Sequence, residues 1–187
     1  MSVSCNHLYC TDTVLLHDNF SVIDLDDIDL RLLDLLQDDA SQSNQDLAAA
    51  AHVSAATALR RVRRLSEAGI VERRIALLST EALGAGLQIL VEVQLDRQGA
   101  EHLDAFEAVA VADVAVQQCW RVSSGPDFLL VLWVADMAAY NALVQRLFTQ
   151  NANVRNVKTY FATKRAKFEP RIDVRAAQAS AASLHAA

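Results

Sequence analysis

Six arginines, Arg60, Arg61, Arg63, Arg64, Arg73 and Arg74, fall within fifteen residues of chain. A guanidinium is always charged and carries its donors in a planar fork. That shape suits bidentate contact with phosphate oxygens or with guanine O6 and N7. The rest of the chain has the opposite character. It carries 17 Lys and Arg against 23 Asp and Glu, a formal net charge of −6, and from Met1 to Ala51 its only base is Arg31. Screening limits the reach of a surface charge to about 8–10 Å at physiological salt, so a local basic patch on an acidic protein can still dock a polyanion. A second group with chemical potential is the turn Ser124-Gly125-Pro126-Asp127. Its glycine frees backbone N–H groups to approach a carboxylate, and its Asp can hold an ammonium group. A third group is Cys5, His7 and Cys10. Three ligands in one short polar segment, with no fourth nearby, read as part of a mobile tail rather than a zinc site.

The elements around the arginines follow from apolar spacing. Leu25, Ile28, Leu32, Leu35 and Leu36 recur at helical intervals, with Asp26 or Asp27 at the helix start. The polar segment Asp38–Ser43 breaks this helix. Ser43 or Asn44 caps a second, short one with Leu47, Ala48 and Ala51 inward. His52 and Val53 make a tight connection, in which His52 takes a position suited to φ > 0. Ser54 caps a third helix with the apolar face Leu59, Val62 and Leu65, which Gly69 ends. Thr57, Arg60, Arg61 and Arg64 fall opposite that face, with Arg63 between. Ile70–Ile75 reads as a short extended wing that carries Arg73 and Arg74 toward a flanking phosphate backbone. This is the pattern of a winged helix-turn-helix, whose third helix enters the major groove of double-stranded DNA. The expected DNA contacts are Ser54, Thr57, Arg60, Arg61, Arg64, Arg73 and Arg74, some to phosphate and some to base edges.

Beyond a hinge at 79–86 the rhythm changes. Leu87, Ile89, Val91, Val93 and Leu95 alternate as a strand with one buried face. A helix is predicted near Ala100–Ala110 and a second alternating strand over Val114–Ser123. Phe128–Val134 is almost wholly apolar, which predicts a strand covered on both faces. Met137–Phe148 is an amphipathic helix with Tyr140, Leu143, Val144 and Leu147 inward, and Val154–Ala162 is a fourth strand. The order β-α-β-β-α-β is ferredoxin-like, so the fold class is α+β. The expected divisions are a flexible extension 1–23, a winged helix-turn-helix 24–78, the hinge 79–86, a ferredoxin-like domain 87–174 and a frayed tail 175–187. Two helices cover only one face of a sheet. The other carries Leu90, with Trp120 or Trp133, and apolar area of that size marks an interface. At least a homodimer is expected.

Several function classes are disfavoured. No apolar run approaches the roughly 18 residues of a membrane helix. The absence of a basic-then-apolar leader and the three irregularly placed cysteines suit a reducing cytoplasm. No Gly-rich phosphate loop, convergent catalytic set or cofactor motif stands out, which argues against an enzyme. Cys119 reads as a small packing residue. A βαββαβ domain can bind RNA, but that platform needs exposed aromatics within a basic motif, and these strands carry Leu, Ile, Val, Gln and Glu.

The residues also resemble the leucine/asparagine-responsive regulators, the Lrp/AsnC family, from Leu25 to about Val174. The resemblance rests on Leu25-Asp26-Asp27-Ile28-Asp29, Val53-Ser54, Arg61-Val62-Arg63-Arg64-Leu65 and Glu67-Ala68-Gly69-Ile70-Val71. In the second domain it rests on Val122-Ser123, Asp127-Phe128-Leu129-Leu130, Val134-Ala135-Asp136-Met137 with Tyr140, and Val157-Lys158-Thr159-Tyr160. It implies a transcription regulator that pairs through the sheet of its second domain, whose dimers often form octamers, and that binds an amino acid or related metabolite between dimers. The family's ligand loop reads roughly Gly-x-x-Asp-Tyr. Here Ser124 stands at the first glycine, Gly125 one place later, then Asp127 and Phe128. Ser124, Gly125, Asp127, Met137, Tyr160 and Phe161 are the effector-site residues the resemblance implies. No metal and no cofactor other than such an effector is expected. The alternative is an architectural DNA-binding protein of the same fold without an effector.

Overall fold

The computed structural model describes residues 24–80, 82–84 and 86–185, with side chains through Ser180. Cys5, His7 and Cys10 lie outside the described residues. The chain forms two compact units. One runs to Ala76 and resumes at Pro170; the other is Leu77–Glu169.

The first unit opens with α1 (Asp27–Asp38), α2 (Asn44–Ala50) and α3 (Ala55–Glu67). Each start is chemically marked. The Asp26 carboxylate accepts from the N–H groups of Ile28 and Asp29, while the Asp29 carboxylate accepts from the Asp26 N–H, a capping box built with Asp. Ser43 accepts from the Asp46 N–H and Ser54 from the Thr57 N–H. The connection between α2 and α3 holds His52 at φ 57°, as its place in the sequence demands. At the end of α3, Gly69 takes φ 74°. Its N–H and that of Ile70 donate to the carbonyls of Ser66 and Leu65, which satisfies the last turn in a Schellman motif. Leu32, Leu36, Leu47, Ala48, Ala51, Ala58 and Val62 form the core between the three helices.

Three expectations for this unit need correction. Leu59 does not join the apolar face of α3; it is 52% exposed, and Ala58 takes its place beside Val62 and Leu65. The wing carries no strand: residues 72–79 are exposed and irregular. Where a frayed tail was expected from 175 onward, the described residues form a helix, α6 (Val174–His185), which belongs with the first unit. The reason lies in α1, which is apolar on two sides. Leu30 and Leu33 point away from the core above and bury Val174 together with Leu65. Asp173 caps α6 through the N–H groups of Arg175 and Ala176, and the Gln178 side chain donates to the Leu25 carbonyl. An Ala-rich stretch has high helix propensity, and the apolar contact supplies the rest.

The second unit is a four-stranded antiparallel sheet in the order β2-β3-β1-β4, formed by β1 (Leu87–Leu95), β2 (Val116–Arg121), β3 (Phe128–Val134) and β4 (Val154–Phe161). Helices α4 (Ala100–Ala112) and α5 (Met137–Val144) complete the βαββαβ order, with α5 running on into a π-helical turn at Gln145–Thr149. Ile89, Val91, Val93 and Leu95 of β1 and Phe128, Leu130, Leu132 and Val134 of β3 bury one sheet face against Phe106, Ala110, Leu143 and Leu147. β2 is shorter than the expected Val114–Ser123. A register shift between Val116 and Gln118 breaks the alternation, so Val116 and Cys119 both pack toward the core. Within one chain β3 is covered on one face only. Leu129 on the other side is exposed and Val131 and Trp133 are half-buried.

Candidate nucleic-acid interface and ligand hollow

α3 turns Ala58, Val62 and Leu65 inward. At about 100° per residue the opposite side is centred on Ala56, Arg60 and Arg63, with Leu59 at its margin. All four are exposed. The arginines of this helix therefore divide into two sets. Among the described residues, exposed Arg60 makes no ion pair, and Arg63 pairs only with exposed Glu67, four residues on. Arg61 turns the other way. Its Nη1 lies 2.7 Å from Asp26 Oδ2 and 2.9 Å from Asp29 Oδ1, and its side chain is 17% exposed. Arg64 reaches the second oxygen of Asp29, whose side chain is 1% exposed. The buried carboxylate is thus held by two guanidinium groups and by the Asp26 N–H. Two neighbours hold the Asp26 carboxyl down at about 2: first the N–H of Asp29, then the Arg61 guanidinium. The same carboxylates push Arg61 further up.

The expected DNA-contact residues are therefore not all brought together. Arg60 faces outward. Ser54 is exposed at the start of α3, where its hydroxyl caps Thr57 and lies 2.8 Å from the Thr57 hydroxyl. Arg73 and Arg74 are exposed on the irregular segment after α3. Arg61 is committed to α1, and Arg64 is partly so. Sequence reasoning missed Ala56, Leu59 and Arg63 as outward residues, and Asp29 as the partner of Arg61. A wheel centred one position off makes the first error. The second partner lies 32 residues away in sequence.

In the second unit, a hollow of about 200 Å³ lies on the sheet face away from the helices. Glu92, Gln94, Asn156 and Lys158 line it, with Gly125 and Pro126 at one side. Lys158 Nζ is 3.6 Å from a Glu92 carboxylate oxygen, so the hollow holds one group of each charge. Gly125 stands at φ 90°, a backbone conformation that a side chain would strain. The Tyr160 hydroxyl donates to Glu92 at 3.1 Å. Asp127 is engaged elsewhere. Its carboxylate accepts from the Leu95 N–H at 2.7 Å and its own N–H donates to the Val93 carbonyl, tying the turn to β1. Ser124 is exposed on the same turn.

The remaining expected effector residues lie apart. Tyr160 and Phe161 are successive residues of β4 and point to opposite faces. Phe161 packs edge-on against Tyr140 of α5, ring centroids 5.2 Å apart. Met137 begins α5 just beyond Val134, while the Ser124–Asp127 turn precedes Phe128. They sit at opposite ends of β3, separated by roughly 20 Å of strand. Glu92, Asn156 and Lys158 were not expected at this site. Only the register of β1 against β4, which sets Glu92 beside Lys158 and Gln94 beside Asn156, brings them together.

Residues 25–72 match the family model for a winged helix-turn-helix DNA-binding domain, and residues 88–172 match the Lrp/AsnC ligand binding domain. The chain is 35% identical over 152 residues to a leucine-responsive regulatory protein of Rhizobium meliloti, covering 81% of this chain and 97% of that one. It is 36% identical over 141 residues to a Bkd operon transcriptional regulator of Pseudomonas aeruginosa, covering 75% and 92%. Among solved structures, a transcriptional regulator from Neisseria meningitidis in complex with L-Met aligns with TM-score 0.75 at 27% identity, covering 82% of this chain and 99% of that one. An AsnC family regulator from Agrobacterium tumefaciens aligns with TM-score 0.74 at 28% identity, covering 81% and 99%. A three-helix reader with an outward arginine face, joined to a βαββαβ ligand-binding domain, and two relatives above 30% identity over most of the chain lead to one assignment: this chain belongs to the Lrp/AsnC family of DNA-binding transcriptional regulators.

Proposed function

We propose that this regulator reads double-stranded DNA with Arg60, Arg63, Ala56 and Leu59 of α3, while Arg61 holds the helix in place. The observation that carries the reading is the division of the α3 arginines: Arg60 and Arg63 face solvent, and Arg61 is engaged by Asp26 and Asp29. Arginine can clamp a guanine edge, and exposed Ala or Leu can meet a thymine methyl group. Ser54 and Thr57, at the start of the helix, and Arg73 and Arg74, after it, supply contacts to phosphate. The protein acts by binding rather than catalysis, in the cytoplasm where the chromosome is accessible.

The assembly is a dimer formed sheet to sheet. Trp120, Leu90, Leu129 and Tyr160 are all exposed large hydrophobics of the sheet, and a second copy of that face would remove them from water. A symmetric dimer reads two half-sites about one turn of DNA, or whole turns, apart. Further association to an octamer is an extension of the same scheme.

The effector is an α-amino acid or a related metabolite, bound at the hollow beside Gly125. Lys158 and Asn156 suit a carboxylate and Glu92 an ammonium group. The structural relative bound to L-Met favours this class. A second copy covering the sheet face closes the hollow, and ligand then shifts assembly by its differential affinity for the closed state. Ser124, Tyr160 and a Met137 from a neighbouring copy complete the wall; Asp127 serves the turn. Calorimetric titration with each standard amino acid, run beside sedimentation, tests this. Heat and a change in assembly for at least one amino acid, both lost in Glu92→Gln, are expected. No heat for any of them leaves an architectural DNA-binding protein without an effector.

A further inference from the structure

Many of the lysines and arginines of this acidic chain are neutralised by their own neighbours. Among the described residues, Arg61, Arg64, Arg121 and Arg146 each sit within 3 Å of a carboxylate oxygen. The cations without an ion pair are not scattered evenly. Arg31 and Arg97 stand singly, and Arg60, Arg73 and Arg74 belong to the DNA-reading unit already described. Three more, Lys164, Arg165 and Lys167, stand within four consecutive residues of the segment between β4 and α6. All three are exposed, and the segment has no regular secondary structure. Glu169, the nearest acid in sequence, pairs with none of them. Arg165 lies over the exposed Phe168 ring, 5.7 Å from its centroid. A ring contact of this kind leaves the guanidinium charge unneutralised by any carboxylate.

The segment is also anchored. Four residues after Lys167, Arg171 bridges Asp34 and Asp38 of α1. Ile172 exchanges two hydrogen bonds with the Gln37 side chain, at 2.8 and 3.1 Å, and Val174 is buried beside Leu30 and Leu33. Pro170 keeps the chain extended just before the anchor. Four residues span at most about 14 Å. Lys167 is therefore tethered within that distance of the α1 anchor in every arrangement of the two units. Free, exposed cations joined by a few residues of chain to the DNA-binding unit suit one partner: the phosphate backbone of the duplex that the unit binds.

We infer that residues 164–167 form a second phosphate-binding element, a basic strap that follows the DNA backbone flanking the half-site. This deepens the α3 reading and rests on it. The strap carries no base-reading geometry, so it adds affinity without adding sequence preference. Each phosphate it neutralises releases counterions and steepens the dependence of binding on salt by about 0.9.

The test uses the full-length protein with Lys164, Arg165 and Lys167 all changed to Ala, on DNA selected from genomic fragments and on unrelated duplex. The slope of log affinity against log salt is expected to fall by roughly 2–3 for each bound subunit. The loss at fixed salt should be equal on both DNAs, with the thermal midpoint unchanged. Arg60→Ala serves as the comparison, because it should lose preference for the selected DNA. A triple variant with an unaltered slope overturns the strap while leaving the α3 reading intact if Arg60→Ala still loses that preference. A loss confined to the selected DNA also overturns it, because the segment would then read bases. Loss of binding to anionic vesicles with an unaltered DNA slope assigns the cations to a membrane surface and overturns it as well.

Discussion

At the scale of single residues, the distinction that matters is between arginines that face out and one that is tied in. Arg60 and Arg61 are neighbours in sequence and play different parts. Replacing Arg60 with Ala is expected to weaken specific DNA binding by roughly 1–3 kcal/mol with little effect on folding. Replacing Asp29 with Ala removes the acceptor that Arg61 and Arg64 share. It is expected to cost roughly 2–3 kcal/mol of stability in a denaturant titration, below the range for fully buried pairs because Arg64 reaches solvent. Equal stability of Asp29→Ala and the parent would mean that the pair contributes nothing. The acids of this network also fix a pH dependence. Asp26 falls from 3.8 to about 2 in the folded chain, and Arg146 holds the Asp113 carboxyl below its ordinary value. A carboxyl depressed on folding contributes stability above its unfolded value and loses it as pH falls through the folded one. The thermal midpoint should therefore drop between pH 3.8 and about 2, and Asp26→Asn should flatten part of that slope. Sequence alone shows that the arginines are there. It does not show which of them points outward, because that depends on a rotation of one residue position on α3 and on a partner on α1.

At the scale of elements, local chemistry was legible where a side chain acts on its own neighbourhood. Asp26, Ser43 and Ser54 cap the helices as their types and positions predict, Gly69 ends α3, and His52 takes the positive φ its turn requires. The alternation of β1 and the short apolar run of β3 marked the strands of the sheet, though the apolar run did not show that only one face of β3 is covered within the chain. Elements that depend on distant contact were not legible. The bulge in β2 comes from its pairing with β3, and α6 exists because Leu30 and Leu33 offer a second apolar face on α1. The Ala- and Ser-rich composition of α6 resembles a loose tail until that face is known. Val174→Asp is expected to lower the stability of the helix-turn-helix by roughly 1–3 kcal/mol, since it sets a charge against Leu30, Leu33 and Leu65. Hydrogen exchange should show the loss in α1 and α6, with the sheet unaffected. Unchanged protection in α1 would mean that α6 only rests on the surface.

At the scale of the whole molecule, the chain joins a DNA reader to a ligand-binding sheet domain, and the sequence signals for both were strong because each is a periodic pattern with marked ends. The hollow proposed for the effector was not legible in full. Gly125 could be singled out from turn chemistry, but Glu92, Asn156 and Lys158 meet only through the β1–β4 register. The assembly of copies through the open sheet face has its own check: Leu90→Glu should convert a dimer to monomer in light scattering at micromolar concentration, and a parent protein that is already monomeric would contradict the sheet-to-sheet scheme. In the proposed complex, α3 meets DNA with the side opposite Ala58, Val62 and Leu65. This arrangement is tested most directly by measuring affinity for duplexes selected from genomic DNA, in the parent and in a variant with both Arg60 and Arg63 changed to Ala. The expected result is a folded double variant whose preference for selected over unrelated DNA falls by about a hundredfold or more, the combined effect of two base-contacting arginines. A folded double variant that keeps the full preference of the parent would contradict it.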